Sequence, residues 1–268
     1  MNAASLQTYL QSLRGEWEYP ADTVDTFKAG DPATEIRGIA VGWTSYSWAL
    51  ERALALGCNI YITHEPTYYE HRDNDPAIFR FDGPRRKRQW VEENEMVILR
   101  CHDMLDQLKD IGIPDTWGDF LALGEAVDGD DYLRVYTVDN MTAGEVARHV
   151  AARVRPLGQD AVQLIGPVDK VVNRICTGTG AETPFQTYLE KFQADLAVCT
   201  DDGMWYWRDG AFAIDHDIPI IVVNHAVSEE IGMKVLAEHL QAQFPDIPVH
   251  HIPQRCMYRL VQAEPEPA

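Results

Sequence analysis

The stretch Ile220-Ile221-Val222-Val223-Asn224-His225-Ala226-Val227-Ser228-Glu229 constrains the fold more than any other part of the chain. An unbroken run of β-branched apolar residues suits a strand buried on both faces, the kind found inside parallel sheets. Ser228 and the periodic Ile231, Val235, Leu236 and Leu240 predict an amphipathic helix directly after it. The strand thus delivers a histidine at its carboxyl end, and the helix a carboxylate four positions on. That edge of an α/β sheet is where reacting groups and ligands are held. The arrangement recurs: Met96-Val97-Ile98-Leu99-Arg100-Cys101-His102 is an apolar run ending in histidine, followed four residues later by Asp106.

The rest of the chain alternates strand and helix signals. Leu6, Tyr9, Leu10 and Leu13 have helical spacing, ended by Gly15, and residues 16–34 are rich in turn formers and predict mostly loop. Strands are predicted at 36–41, 58–63, 132–138, 171–176 and 196–199, with weaker candidates at 249–252 and 257–261. Helices are predicted over 48–56, from 85 onward, over 117–123, over 146–154 behind a Thr142/Glu145 capping box, and over 184–192. Ile39 and Ile175, Gly42 and Gly178, Ile60 and Leu196, and Thr63 and Cys199 match at one constant offset, which an α/β unit used twice explains. The expected fold is α/β, with two similar α/β domains from an internal duplication and a metal site in the cleft between them. The expected domains are 1–130 and 131–262, with a disordered polar tail over 263–268.

Composition narrows the function classes. A formal net charge of −19 argues against a nucleic-acid partner, because phosphate backbones need basic surface. No apolar run approaches the length that spans a bilayer, and Met1–Arg14 lacks the pattern of a signal peptide, so a cytoplasmic protein is expected. Cys58, Cys101, Cys176, Cys199 and Cys256 show no CxxC spacing and fit small core residues of a reducing compartment.

The residues that carry chemistry are His64, Glu65, His102, Asp106, His225 and Glu229. Imidazole nitrogen and carboxylate oxygen are the ligands of divalent metals, and a set without thiolate fits Zn, Mn, Fe, Co, Ni or Mg. Taken singly, His102 and His225 fit equally well as histidines at strand ends, and Asp106 and Glu229 as acids favoured by a helix dipole. Together, in a repeated frame, they point to one or two ions per chain. Gly178-Thr179-Gly180 lacks the Lys of a phosphate-binding loop and is expected to form a tight turn, with an anion cradle as the alternative. Arg85–Arg88 fit a solvated helix face, Asp201 and Asp202 fit a lining of the cleft, and Met204–Trp207 fit core or interface packing.

Three motifs carry a family resemblance. Ile62-Thr63-His64-Glu65-Pro66 resembles the ITHHP motif of the Nif-three-like family, also labelled GTP cyclohydrolase I type 2-like. Cys101-His102-Asp103-Met104-Leu105-Asp106 is similar to its A-H-T-N-L-D motif, and Asn224–Glu229 to its G-H-Y-x-S/T-E motif. The resemblance implies two like α/β domains around a dinuclear metal centre and a homo-oligomer, commonly a hexamer. By motif position it implies His64, Glu65, Asp106, His225 and Glu229 as metal ligands and His102 as a nearby proton carrier. The chain departs from the family at Glu65, where the motif has histidine; a carboxylate there favours harder ions such as Mn²⁺, Mg²⁺ or Fe²⁺. The expected activity is hydrolysis of a small-molecule substrate, with a nucleotide or purine as the candidate class, through a metal-bound hydroxide. The rival is a non-catalytic metal-binding or regulatory scaffold.

Overall fold

The computed structural model describes residues 1–130, 132–181 and 185–263. Its strands in chain order are β1 (Phe27–Ala29), β2 (Ile39–Gly42), β3 (Ile60–Thr63), β4 (Val97–Arg100), β5 (Asp128–Gly129), β6 (Arg134–Thr142), β7 (Gln163–Ile165), β8 (Val171–Thr177), β9 (Leu196–Thr200), β10 (Ile220–Val223) and β11 (Val249–His251). The α-helices are α1 (Ala3–Ser12), α2 (Ser47–Ala55), α3 (Asp82–Glu93), α4 (Asp103–Gln107), α5 (Ile113–Leu121), α6 (Ala143–Val154), α7 (Phe185–Glu190), α8 (Ala211–Asp215) and α9 (His225–Gln243). Among the described residues no helix is long and apolar enough to cross a membrane.

The described residues divide into two compact units, one within 1–117 and 229–254, the other within 118–228 and 255–263. It leaves the first unit within α5 and returns to it within α9.

The first unit holds a sheet of order β1-β4-β3-β2-β11, parallel except for β1. Every residue of β2, β3 and β4 is buried, as continuous apolar runs require. Ala40, Tyr61 and Ile98 pack with Leu50 and Ala53 of α2 and Val91 of α3 on one face. Burial of each large apolar side chain contributes roughly 1.5–3 kcal/mol. The register aligns Gly42, Thr63 and Arg100 at the carboxyl ends of β2, β3 and β4, so the segments that follow emerge side by side.

The second unit holds a mixed sheet of order β5-β6-β8-β9-β10-β7, in which β8, β9 and β10 run parallel. Val135, Cys176, Ala197, Ile220 and Val222 form its core with Phe185, Tyr188 and Phe192. The Thr142/Glu145 capping box is present in both directions at the start of α6.

Several local expectations need correction. Residues 16–34 are mostly loop, as expected, but also hold β1, which pairs antiparallel with β4 and places Phe27 opposite Leu99. The last long helix starts at His225, not at Ser228, because the Asp201 carboxylate accepts the His225 amide at 2.9 Å and the Ser228 hydroxyl donates back to the His225 carbonyl. Residues 257–261 form no strand; the Met257 amide donates to the Asn224 side chain instead of a neighbouring strand, and Met257, Leu260 and Val261 are exposed. Met204 is buried but Trp205, Tyr206 and Trp207 are exposed, so this aromatic block is not core. Lys87 does not share the solvated face of Arg85, Arg86 and Arg88: it is buried and donates to the Thr67 carbonyl at 2.5 Å. Pro184, at the start of an expected helix, and residues 264–268 of the expected tail lie outside the described residues.

Replacing Thr142 by alanine removes one half of the capping box, and we expect a loss of about 1 kcal/mol in urea unfolding.

Candidate metal centre

His64 and Glu65 follow β3 directly. Both of their amides donate to the Trp43 carbonyl just past β2, at 3.0 and 2.8 Å, which turns the chain as it leaves the sheet. His102 follows β4 one residue later and immediately precedes α4, which carries Asp106. Glu229 belongs to the first unit and lies one turn into α9. His64 and Glu65, His102 and Asp106, and Glu229 come from three separate stretches of the chain and are brought together here. One ligand atom each from His64, His102 and Asp106 lie within 4.8 Å of one another, and so do atoms of His64, Glu65 and Glu229.

His64 is wholly buried and is common to both groups. Its Nδ1 lies 3.2 Å from the Cys101 carbonyl, which can only accept, so Nδ1 carries the hydrogen. In the neutral ring Nε2 then holds a lone pair. That atom faces Glu229 Oε2 at 3.4 Å and Asp106 Oδ1 at 3.6 Å. Neither Nε2 nor Asp106 Oδ1 makes a hydrogen bond of acceptable geometry, although both are shielded from solvent. A lone pair and two carboxylates in a dry space repel unless a proton or a cation lies among them. The protein without metal answers with a proton. Burial pulls the His64 pKa down, but Glu229, Asp106 and Glu65 outweigh it and raise the value to about 9. Burial also raises Asp106, to about 6, with His102 and His64 opposing. With a divalent cation present, the same lone pair and oxygens are ligands, so the residues fit such an ion.

Each donor is held from behind. Trp43 Nε1 donates to Glu229 Oε2 at 2.6 Å. Arg100 lies beside Glu65, with Nη2 3.4 Å from Oε2. The His102 ring stacks on His64 at 4.4 Å between centroids, and its Nδ1 lies 3.0 Å from Asp103 Oδ1. Burial pushes Asp103 up, but hydrogen bonds from His102 and Thr23 hold its carboxyl well below the usual range. Asp25 accepts the amides of His102, Asp103 and Met104 at 2.6 to 3.0 Å and so caps α4. Burial nevertheless raises the Asp25 carboxyl.

His225 lies in the second unit, one turn before Glu229 on the same helix. Its Nδ1 is 3.0 Å from Asp202 Oδ2, while Asp201 takes its amide and the Asn224 side-chain NH₂. Asp201 and Asp202 therefore orient this histidine, the role carboxylates commonly play behind a ligating imidazole. In the same unit Gly178–Gly180 form a turn that engages internal partners. The Gly178 amide bonds to Val198, Gly180 adopts φ +57° with its amide facing the Ser228 hydroxyl at 3.4 Å, and Thr200 Oγ1 donates to the Gly180 carbonyl.

Sequence reasoning missed Asp25, Trp43 and Arg100. Arg100 alone left a trace, as a charged residue closing the buried run Val97-Ile98-Leu99. Asp25 and Trp43 owe their roles to strand register, which no local pattern records.

The Duf34/NIF3 (NGG1p interacting factor 3) profile matches residues 23–256. The chain belongs to that family. A "GTP cyclohydrolase 1 type 2 homolog" from Chlamydia pneumoniae is 22% identical over 254 residues, covering 91% of this chain and 95% of the relative. Among solved structures, a hypothetical protein of Staphylococcus aureus is similar with a TM-score of 0.79 at 17% identity, over 97% of this chain and 99% of that one. A Bacillus cereus protein related to NIF3 has a TM-score of 0.79 at 14% identity, over 98% and 99%. At such identities the likeness is one of fold: the Duf34/NIF3 chain shares their α/β architecture with two sheets.

A pH dependence follows for the metal-free protein. The folded pKa of His64, about 9, lies above the ordinary histidine value of 6.5. Its contribution to stability is therefore complete below 6.5 and lost as pH rises through 9. We expect urea-unfolding stability of chelator-treated protein to fall across that window, and this fall to be absent in His64→Gln.

Proposed function

We propose that this Duf34/NIF3 chain is a divalent-metal hydrolase acting on a small molecule, with a nucleotide or purine-type compound as the substrate class. The buried Nε2 of His64 facing Glu229 and Asp106 carries the proposal, because it is the arrangement a cation resolves. The name of the Chlamydia relative supports the substrate class.

In this proposal His64, Glu65, Asp106, Glu229 and His225 hold one or two ions, drawn from Mn, Mg, Fe, Zn, Co or Ni. A divalent cation bound there supplies Lewis acidity toward a substrate oxygen and lowers the pKa of water, giving a nucleophile at neutral pH. The chain's own groups do the rest. Trp43 and the Cys101 carbonyl fix the orientation of Glu229 and His64. His102, partly exposed and held by Asp103, is placed to carry a proton between the donor set and solvent. The proposal includes a homo-oligomer, as hexamer, with the exposed Trp205, Tyr206 and Trp207 as contact candidates.

The proposal also includes the duplicated α/β unit. Ile39 pairs with Ile60 in the first sheet and Ile175 with Leu196 in the second, both in parallel register at the offset that relates the two halves of the sequence.

Elemental analysis of purified protein is expected to find at least one divalent ion per chain. In His64→Ala and Asp106→Asn we expect metal affinity to drop about 10- to 100-fold or more. Binding is expected to release a proton, because His64 must give up its proton to ligate. Hydrolysis across panels of purine nucleotides and phosphate esters with Mn²⁺ or Zn²⁺ is expected in the parent and lost in both variants. Metal binding without turnover on any substrate favours the scaffold instead.

A further inference from the structure

Arg100 is the least expected residue near the donor set. It ends β4, opposite Thr63 of β3, and is 1% exposed. A guanidinium buried this far has a high desolvation cost and survives only with several partners. It has three. Nε donates to the His64 carbonyl at 2.7 Å, Nη1 to the His71 carbonyl, and Nη2 approaches Glu65 Oε2 at 3.4 Å. It therefore clasps both ends of the segment that begins at His64 and grips one side chain within it. Burial lowers its pKa, and Glu65 is the carboxylate that opposes this most, ahead of Asp73.

We propose that Arg100 is a positioning residue that fixes Glu65 by one oxygen, balances its charge, and through it sets which divalent cation the site prefers. The inference rests on the metal-binding reading above. Three ionised carboxylates, Glu65, Asp106 and Glu229, surround His64. A divalent cation offsets two of those charges, and Arg100 offsets the third. A carboxylate tied through one oxygen to a guanidinium is restrained in angle and has fewer lone pairs left for a metal, so Glu65 is biased toward ligation through a single oxygen. That restraint disfavours large, oxygen-rich coordination shells and favours compact ones. Without Arg100, Glu65 loses that counter-charge and that restraint, and the preference moves toward Mn²⁺ over Zn²⁺.

The test is a double-mutant cycle on the full chain, reading Mn²⁺ and Zn²⁺ affinities by calorimetry for the parent, Arg100→Met, Glu65→Gln and the double variant. The ratio of Mn²⁺ to Zn²⁺ affinity is expected to rise about tenfold in Arg100→Met, the scale of one charge-assisted hydrogen bond. In the Glu65→Gln background the same change at Arg100 is expected to leave the ratio unmoved. If Arg100→Met does not fold, Arg100→Lys takes its place in the cycle; it keeps the charge, loses the planar fork, and is expected to shift the ratio in the same direction. An equal shift in both backgrounds, or no shift in either, overturns the role of Arg100 while leaving the metal site standing. A parent protein that binds neither ion overturns both.

Discussion

A shielded imidazole nitrogen with two shielded carboxylates before it is the constraint on which the rest of this structure turns. His64 Nε2 has Glu229 and Asp106 within 3.6 Å and no hydrogen bond of its own. Such a contact is stable only with positive charge inside it. The metal-free protein supplies a proton; a divalent cation would meet the same demand. The elements around this point bring the donors there and stop them turning away.

The support is built from register. Because β2, β3 and β4 are aligned at their carboxyl ends, Trp43, His64, Glu65, Arg100, Cys101 and His102 all emerge at one edge of the first sheet. Trp43 then serves twice, its carbonyl turning the chain at His64 and Glu65 and its indole N–H holding Glu229. Asp25 reaches the same edge from beyond β1 and caps the short helix that carries Asp106. A five-residue helix has little stability of its own, so this cap and the stacking of His102 on His64 keep Asp106 in place.

The parts of this arrangement that were legible in sequence are those with local signatures. Continuous apolar runs announced β3, β4, β9 and β10, and the pairing of histidine with a carboxylate four residues on drew attention to His102 and Asp106, which lie together beside His64. Family membership was legible because three short motifs occur in order, and the match over residues 23–256 shows it. What stayed hidden was non-local. β1 is three residues of a turn-rich stretch and exists because β4 offers it an edge. The early start of α9 depends on Asp201, more than twenty residues upstream of His225. Lys87 sat in a basic run and read as solvated, yet it is the one buried member of that run and bonds the Thr67 carbonyl. Arg100 stood inside the apolar run that ends in His102 with no role of its own, and only the fold shows it beside Glu65.

Anomalous diffraction from crystals equilibrated with Mn²⁺ or Zn²⁺ tests the central claim most directly. The account predicts a strong peak within ligating distance of His64 Nε2, with Asp106 and Glu229 oxygens around it and no proton left on that nitrogen. A map without density there at saturating metal, or with the ion bound only to exposed acids, contradicts it.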